Sequence, residues 1–234
     1  MKLGKLIVIE GSDGSGKTTQ VDMLVKRMRK VKIPTRTIAF PRHGHPTAWA
    51  IDHYLHGRYG YPGALNAYAS SMLYAVDRFD ASVELRKWMN SGATIISSRY
   101  VTSSLVYSAA KVSPSKREAL WKWIENIEYE KFKIPKADYT IVLTVPSKIS
   151  QTLLRERVQK TKQRLDHLER NRTHQNTVLA LYKKLAASSK RHITLIDCAP
   201  DVTLLSKEEI HEKIWSIVCR RLKLPITNYQ SPKH

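Results

Sequence analysis

Apolar residues gather into five short runs, Leu6–Glu10, Thr35–Phe40, Thr94–Ser97, Tyr139–Val145 and His192–Asp197. Runs of that length bounded by polar and turn-forming residues read as strands. The longer segments between them carry apolar positions at three-and-four spacing, which reads as helix. Strand and helix alternating in this way predict an α/β fold, a five-stranded and mostly parallel sheet flanked by helices. Ligands of such sheets collect at the carboxyl ends of the strands. Phe40-Pro41-Arg42 and Ser98-Arg99-Tyr100 each directly follow a strand, so both are expected to open onto the crevice that the first strand also reaches.

That first strand leads into Gly11-Ser12-Asp13-Gly14-Ser15-Gly16-Lys17-Thr18, a G-x-x-x-x-G-K-T loop, and then into a helical pattern. Strand, loop and helix together are the context a phosphate-binding P-loop requires. The glycines let backbone N–H groups turn inward around an anion, and the helix behind adds the positive end of its dipole. Lys17 reaches the outer phosphates, and the Thr18 hydroxyl suits Mg²⁺. Gly11, Ser12, Asp13, Gly14, Ser15, Gly16, Lys17, Thr18 and Thr19 are therefore the expected phosphate contacts.

The chain has 234 residues, 42% of them apolar, with no linker-like stretch dividing it. One domain spanning residues 1–234 is expected. No apolar run approaches the ~18 residues that span a bilayer, and the start has no cleavable leader pattern, so a cytoplasmic protein is expected. Cys198 and Cys219 are too few for a disulfide framework or zinc site and are expected to be buried thiols. The charge is less ordinary: 40 Lys and Arg against 20 Asp and Glu give +20. That balance attracts polyanions. The basic residues are scattered over apparent solvent faces of helices and accompany no nucleic-acid-binding motif, so a specific nucleic-acid partner is not expected. The segment from Arg155 to Arg172 is the exception, with Arg155, Arg157, Lys160, Lys162, Arg164, Arg170 and Arg172 among few apolar residues. On charge alone it reads as a solvated helical hairpin. The sharper reading is a basic lid, at about residues 155–172, closing over phosphates.

The motifs in order resemble one family. They are Ile9 through Gln20, Phe40-Pro41-Arg42, Leu73-Tyr74-Ala75-Val76-Asp77-Arg78, and Arg99-Tyr100 followed by Ser103 and Tyr107. Ile134-Pro135-Lys136-Ala137-Asp138 and Asp166-His167-Leu168-Glu169 continue the match, which runs from about Lys5 to Leu185. The pattern is similar to thymidylate kinases, and Phe-Pro-Arg, Gly57-Arg58-Tyr59-Gly60 and Tyr107-Ser108-Ala109-Ala110-Lys111 look most like an actinobacterial-type branch.

The resemblance implies a P-loop nucleoside-monophosphate-kinase-like fold, Mg²⁺ as cofactor, a homodimer, and phosphoryl transfer from ATP to dTMP giving dTDP and ADP. It implies that Asp13 accepts a hydrogen bond from the 3′-hydroxyl of dTMP and that Arg42 and Arg99 grip its phosphate, a task suited to guanidinium forks. Tyr74 resembles the ring that stacks on thymine, Arg78 the residue that bonds its carbonyl edge, and Phe40 the opposite wall. Tyr107 resembles the ring under the sugar, with Ser103 and Ser104 beside it. Lys17 and the lid, through Arg157 or Arg164, are expected to share the charge on the transferred group. Glu169, with Thr18 and Asp13, is the implied neighbour of the metal or the acceptor sugar. The apolar stripe in Ala64–Trp88 would suit a helix-on-helix interface, or packing on the sheet within one subunit.

Four positions depart from the pattern. Ser98 stands where the family usually has Asp, which removes a charge-assisted bond worth ~1.5–3 kcal/mol. His43 stands for Tyr, Ser104 for Asn and Leu168 for Tyr, all around the acceptor. His43 and His45, spaced i, i+2 in a loop without further ligands, do not make a metal site. Two other functions fit the same residues: a broader deoxynucleotide or deoxynucleoside kinase, and a nucleotide-binding protein that has lost catalysis and engages polyanions.

Overall fold

The computed structural model describes residues 3–60, 65–161 and 165–224, without the side chains of residues 167 and 170. The expectations resting on Ala64, Lys162, Arg164, the Arg170 side chain and the tail beyond Pro225 lie outside the described residues. Five strands, β1 (Leu6–Gly11), β2 (Thr35–Ala39), β3 (Thr94–Ser98), β4 (Tyr139–Thr144) and β5 (Ile193–Asp197), form one sheet in the order β2-β3-β1-β4-β5. Every pairing is parallel. The expected strand positions are met to within a residue or so at each end.

Alternate residues of β1 serve opposite faces. Ile7 and Ile9 pack with Val21, Leu24, Val25 and Met28 of α1 (Lys17–Lys30) and with Ile210, Ile214 and Val218 of α9 (Lys207–Leu222). Leu6 and Val8 pack on the other side with Ala81 and Leu85 of α3 (Ala67–Asn90), Val101 and Leu105 of α4 (Val101–Ala109), and Leu120 and Ile124 of α5 (Arg117–Glu125). Val178, Leu181 and Tyr182 of α8 (Arg172–Ser188) complete that side against Val106 and Val142. The register brings Ile9 beside Ser98 and Ile141, and Ala39 beside Ser98, so the carboxyl ends of β1, β2 and β3 share one edge. A short α2 (Trp49–Leu55) follows β2, while α6 (Ser147–Thr161) and the single-turn α7 (His167–Arg170) lie between β4 and α8. Cys198 and Cys219 are buried and unpaired in disulfides, and burial pushes the Cys198 thiol up to about 12.

One buried carboxylate ties this architecture to the crevice. Glu10, fully buried in β1, accepts from the backbone N–H of Tyr100 (2.9 Å) and Ser103 (3.0 Å), the Ser103 hydroxyl (2.6 Å) and the Tyr182 hydroxyl (2.8 Å). It takes the Tyr100 N–H, shares the Ser103 N–H with the Tyr100 carbonyl, and places negative charge at the positive end of α4. Replacing Glu10 by Ala is expected to cost about 3 kcal/mol, because several buried donors lose their acceptor together. Urea unfolding measures this, and a loss below about 1 kcal/mol would show that water replaces the carboxylate.

Candidate active site

The P-loop is built on glycine conformations that other residues resist. Gly11 has φ +147° and Gly14 φ +74°, and a Cβ on either would come within about 2.5 Å of a backbone carbonyl, Leu143 O and Ser150 O respectively. The loop leads into α1 through Gly16, so its N–H groups and the helix dipole face the same space. Lys17 is buried, and its ammonium donates to the carbonyls of Gly11 (3.1 Å) and Ser12 (2.7 Å). The hydroxyl oxygens of Ser12 and Ser15 are buried with no hydrogen-bond partner among the described residues. Thr18 and Thr19 are exposed at the mouth. Ser150 of α6 donates to the Asp13 carbonyl at 2.7 Å, which roots the basic segment on the loop.

Asp13 is the junction of the site. Its carboxylate accepts from Arg99 Nη2, from the Tyr107 hydroxyl at 3.0 Å and from Gln175 Nε2 at 2.9 Å. Burial alone would raise its pKa, but Arg99 and Lys17 reverse that and hold the carboxyl below its ordinary value. Arg99 sits just beyond β3 with φ +65°, a left-handed conformation a side chain of this size rarely adopts. Its N–H donates to Ile9 O (3.0 Å), and its carbonyl accepts from the Ser97 hydroxyl (2.6 Å). The guanidinium also meets the Ser103 hydroxyl at 3.2 Å and lies over the Tyr107 ring at 4.9 Å. Such conformations concentrate at functional sites, where the surroundings over-determine them.

Tyr74 is a neighbour of this cluster. Burial raises its phenol, the charges of Tyr54 and Asp166 add to the rise, and Arg99 opposes it. Phe40 is buried, 5.7 Å from the Tyr100 ring, and lies beside β3 through its N–H to Ser98 O at 2.9 Å.

The family model for thymidylate kinase matches residues 9–214. The chain belongs to the thymidylate kinase family. The thymidylate kinase of Mycobacterium tuberculosis (strain ATCC 25618 / H37Rv) is 34% identical over 184 residues, 78% of this chain and 86% of that protein. That of Schizosaccharomyces pombe is 28% identical over 215 residues, 92% and 91% of the two chains. Among solved structures, thymidylate kinase from Candida albicans superposes with a TM-score of 0.69 at 24% identity, covering 94% of this chain and 93% of its own. It shares the fold.

Within this site the remaining candidate residues are already engaged. Arg42 gives Nε to Asp77 at 2.8 Å, and its Nη2 reaches Thr47 Oγ1 (2.7 Å), Asp77 O (3.0 Å) and Asp80 Oδ2 (2.6 Å). Arg78 is buried and pairs through Nε and Nη2 with Glu128, while Nη2 also donates to Ser104 Oγ at 2.6 Å. In the basic segment, Asp166 caps α7 by accepting from the N–H groups of Leu168 and Glu169, both at 2.8 Å. Glu169 accepts from Asp166 N at 3.1 Å and from Arg157 Nη2 at 2.9 Å. Burial, then the Glu169 charge, pushes Asp166 up to about 6. The Ser98 carbonyl receives Phe40, and His43 pairs with Asp52 at 2.5 Å.

Gln175 and Glu128 escaped the reading of the sequence, while Glu10 and Asp77 stood inside its motifs without an assigned role. Gln175 is the most telling, since Nε2 joins Asp13 to the Leu168 carbonyl (3.1 Å) and so couples α7 to the P-loop. No local motif marks a glutamine on α8. Asp77 and Arg78, by contrast, stood inside the quoted motif, and only the partner of each was invisible.

Burial pushes the Lys17 ammonium down to about 7, with Arg99 adding to the fall and Asp13, Glu10 and Glu169 opposing it. A bound phosphate favours the charged form, so the amine must take up a proton when nucleotide binds above that pH. Affinity for ATP is expected to weaken as pH rises past about 7, by up to about tenfold per unit, with proton uptake at pH 8. Titration calorimetry in buffers of different ionisation enthalpy reads this. Binding at pH 8 without proton uptake would mean that Lys17 is already fully charged.

Proposed function

We propose that the chain transfers the terminal phosphoryl group of ATP to dTMP, giving dTDP and ADP, with the P-loop holding ATP and the Asp13, Arg99 and Tyr107 cluster holding dTMP. Family membership carries the reaction, and the Asp13 to Arg99 bridge between the two halves of the site supports the division of roles. Lys17 and the loop amides receive the ATP phosphates, with the unpartnered Ser12 and Ser15 hydroxyls as further donors. Arg99 leaves Asp13 for the acceptor phosphate, and Asp13 takes the 3′-hydroxyl in its place. Arg42 offers Nη1 to the same phosphate, its other nitrogens being held by Asp77, Asp80 and Thr47. Tyr74 stacks on the base, Phe40 closes the far wall, and Tyr107 lies under the deoxyribose with Ser103. Arg157 turns from Glu169 toward the transferred group, where positioning and charge are nearly all that transfer requires of a protein. Residues 155–172 act as its lid.

The described residues contain no group of three or more His, Cys, Asp or Glu side chains placed to enclose a metal. That fits Mg²⁺, which keeps most of its waters and is held by one or two side chains together with phosphate oxygens. Thr18 is the side chain assigned to it, since the carboxylates of Asp13 and Glu169 are already engaged by cations. When bound, Mg²⁺ supplies neutralisation of phosphate charge. No helix of the described residues is long and apolar enough to cross a membrane; the place of action proposed for the chain is the cytoplasm.

A second copy of the chain fits the outer face of α3. Val76, Phe79 and Val83 repeat at helical spacing there and are 42%, 48% and 72% exposed. Light scattering is expected to give the mass of two chains, with Val83→Asp reducing it to one. A single-chain mass for the unaltered protein would remove the homodimer.

Separation of nucleotides after mixing the protein with Mg²⁺, ATP and dTMP tests the reaction, and absence of dTDP despite ATP binding would overturn it. In the same assay Arg99→Ala is expected to lower kcat about 100- to 1000-fold, and Arg157→Ala about tenfold or less. Equal losses would contradict the acceptor clamp. Ser98→Asp is expected to raise kcat about 10- to 100-fold by restoring a charge-assisted bond, and an unchanged rate would show that this position no longer limits transfer.

A further inference from the structure

Leu120 and Ile124 form the buried face of α5, and the next residue at that spacing is Glu128. A glutamate thus stands where the helix calls for an apolar side chain. It lies in a π-helical turn, Asn126–Lys131, and is fully buried. Turns of this kind recur at functional sites. A carboxylate so placed must be paired, and its partner is Arg78, itself 1% exposed, through both Nε and Nη2. The bidentate contact fixes the plane of the guanidinium. The second proton of Nη2 is spent on Ser104 Oγ at 2.6 Å, leaving Nη1 without a partner among the described residues.

We propose that Glu128 is a positioning residue for base recognition: by locking the guanidinium of Arg78, it holds Nη1 and the Ser104 hydroxyl as a rigid donor edge that selects a pyrimidine carrying a carbonyl there. This rests on the assignment of Arg78 to the base of dTMP. Arg78 and Tyr74 are four residues apart on α3, so the locked fork and the stacking ring share one face of the helix. A carbonyl oxygen accepts from this edge, whereas the amino group of cytosine brings a second donor against it and leaves both unpaired. Uracil shares the carbonyl, so the reading of the thymine methyl is independent of Glu128.

Steady-state kinetics of Glu128→Gln, Arg78→Gln and the double variant test the proposal. Glu128→Gln is expected to raise KM for dTMP and dUMP together, about 10- to 100-fold, with KM for ATP unchanged and the inhibition constant of dCMP moving toward KM for dTMP. Glu128→Asp, which keeps the charge on a shorter arm, is expected to recover part of the loss. In the Arg78→Gln background there is no guanidinium left to position, so adding Glu128→Gln is expected to raise KM for dTMP no further, and the double variant removes the buried carboxylate that Arg78→Gln alone leaves unpaired. The double variant also keeps the test open if the single one melts too early to assay. An unchanged KM for dTMP in folded Glu128→Gln overturns the positioning role, as does an equal penalty in the Arg78→Gln background. An unchanged KM for dTMP in Arg78→Gln itself would instead overturn the assignment of Arg78 to the base.

Discussion

The contact between Asp13 and Arg99 is the constraint on which the site depends. It joins the P-loop to the turn between β3 and α4, so these two segments of the crevice are set relative to each other, as the proposed binding of ATP at one and dTMP at the other requires. Both ends are themselves anchored. Asp13 is held by Tyr107, Gln175 and the root of α6, and Arg99 by a left-handed backbone pinned between Ile9 and Ser97. A transfer that depends on bringing an acceptor oxygen in line with a phosphorus gains most from such preorganisation.

Charge is buried around α3 and α4 in the same manner each time, an acid answered by donors from another element. Glu10 of β1 holds the start of α4, Asp77 of α3 holds the backbone and side chain of Arg42, and Glu128 holds Arg78. Breaking such a pair leaves an uncompensated charge, a cost far above that of an exposed ion pair. The pairs therefore specify where the cations of the site stand. The +20 balance of the whole chain is a different matter, since scattered lysines and arginines attract anions in general and fix none of them in place.

The fold was legible because it follows from local periodicity. Buried parallel strands announce themselves as apolar runs, and the P-loop names its own flanking elements. The convergence of Asp13, Arg99, Ser103 and Tyr107 was also within reach, as each lies just past a strand end or in the first two turns of the helix after it. What could not be read was the state of the cations before ligand binds. Arg42 and Arg78 carry the same motif letters whether they face solvent or a buried acid, and the acids that hold them lie up to 50 residues away. Glu128 left a trace in the i, i+4 series from Leu120 and Ile124, where one charged residue breaks an apolar face. Gln175 left none.

A crystal structure of the dTMP complex tests the account most directly. The guanidinium of Arg99 is expected on the acceptor phosphate and the carboxylate of Asp13 on the 3′-hydroxyl, the pair having exchanged each other for the two ends of one nucleotide. Arg99 still bound to Asp13, with the phosphate seated elsewhere, would contradict it.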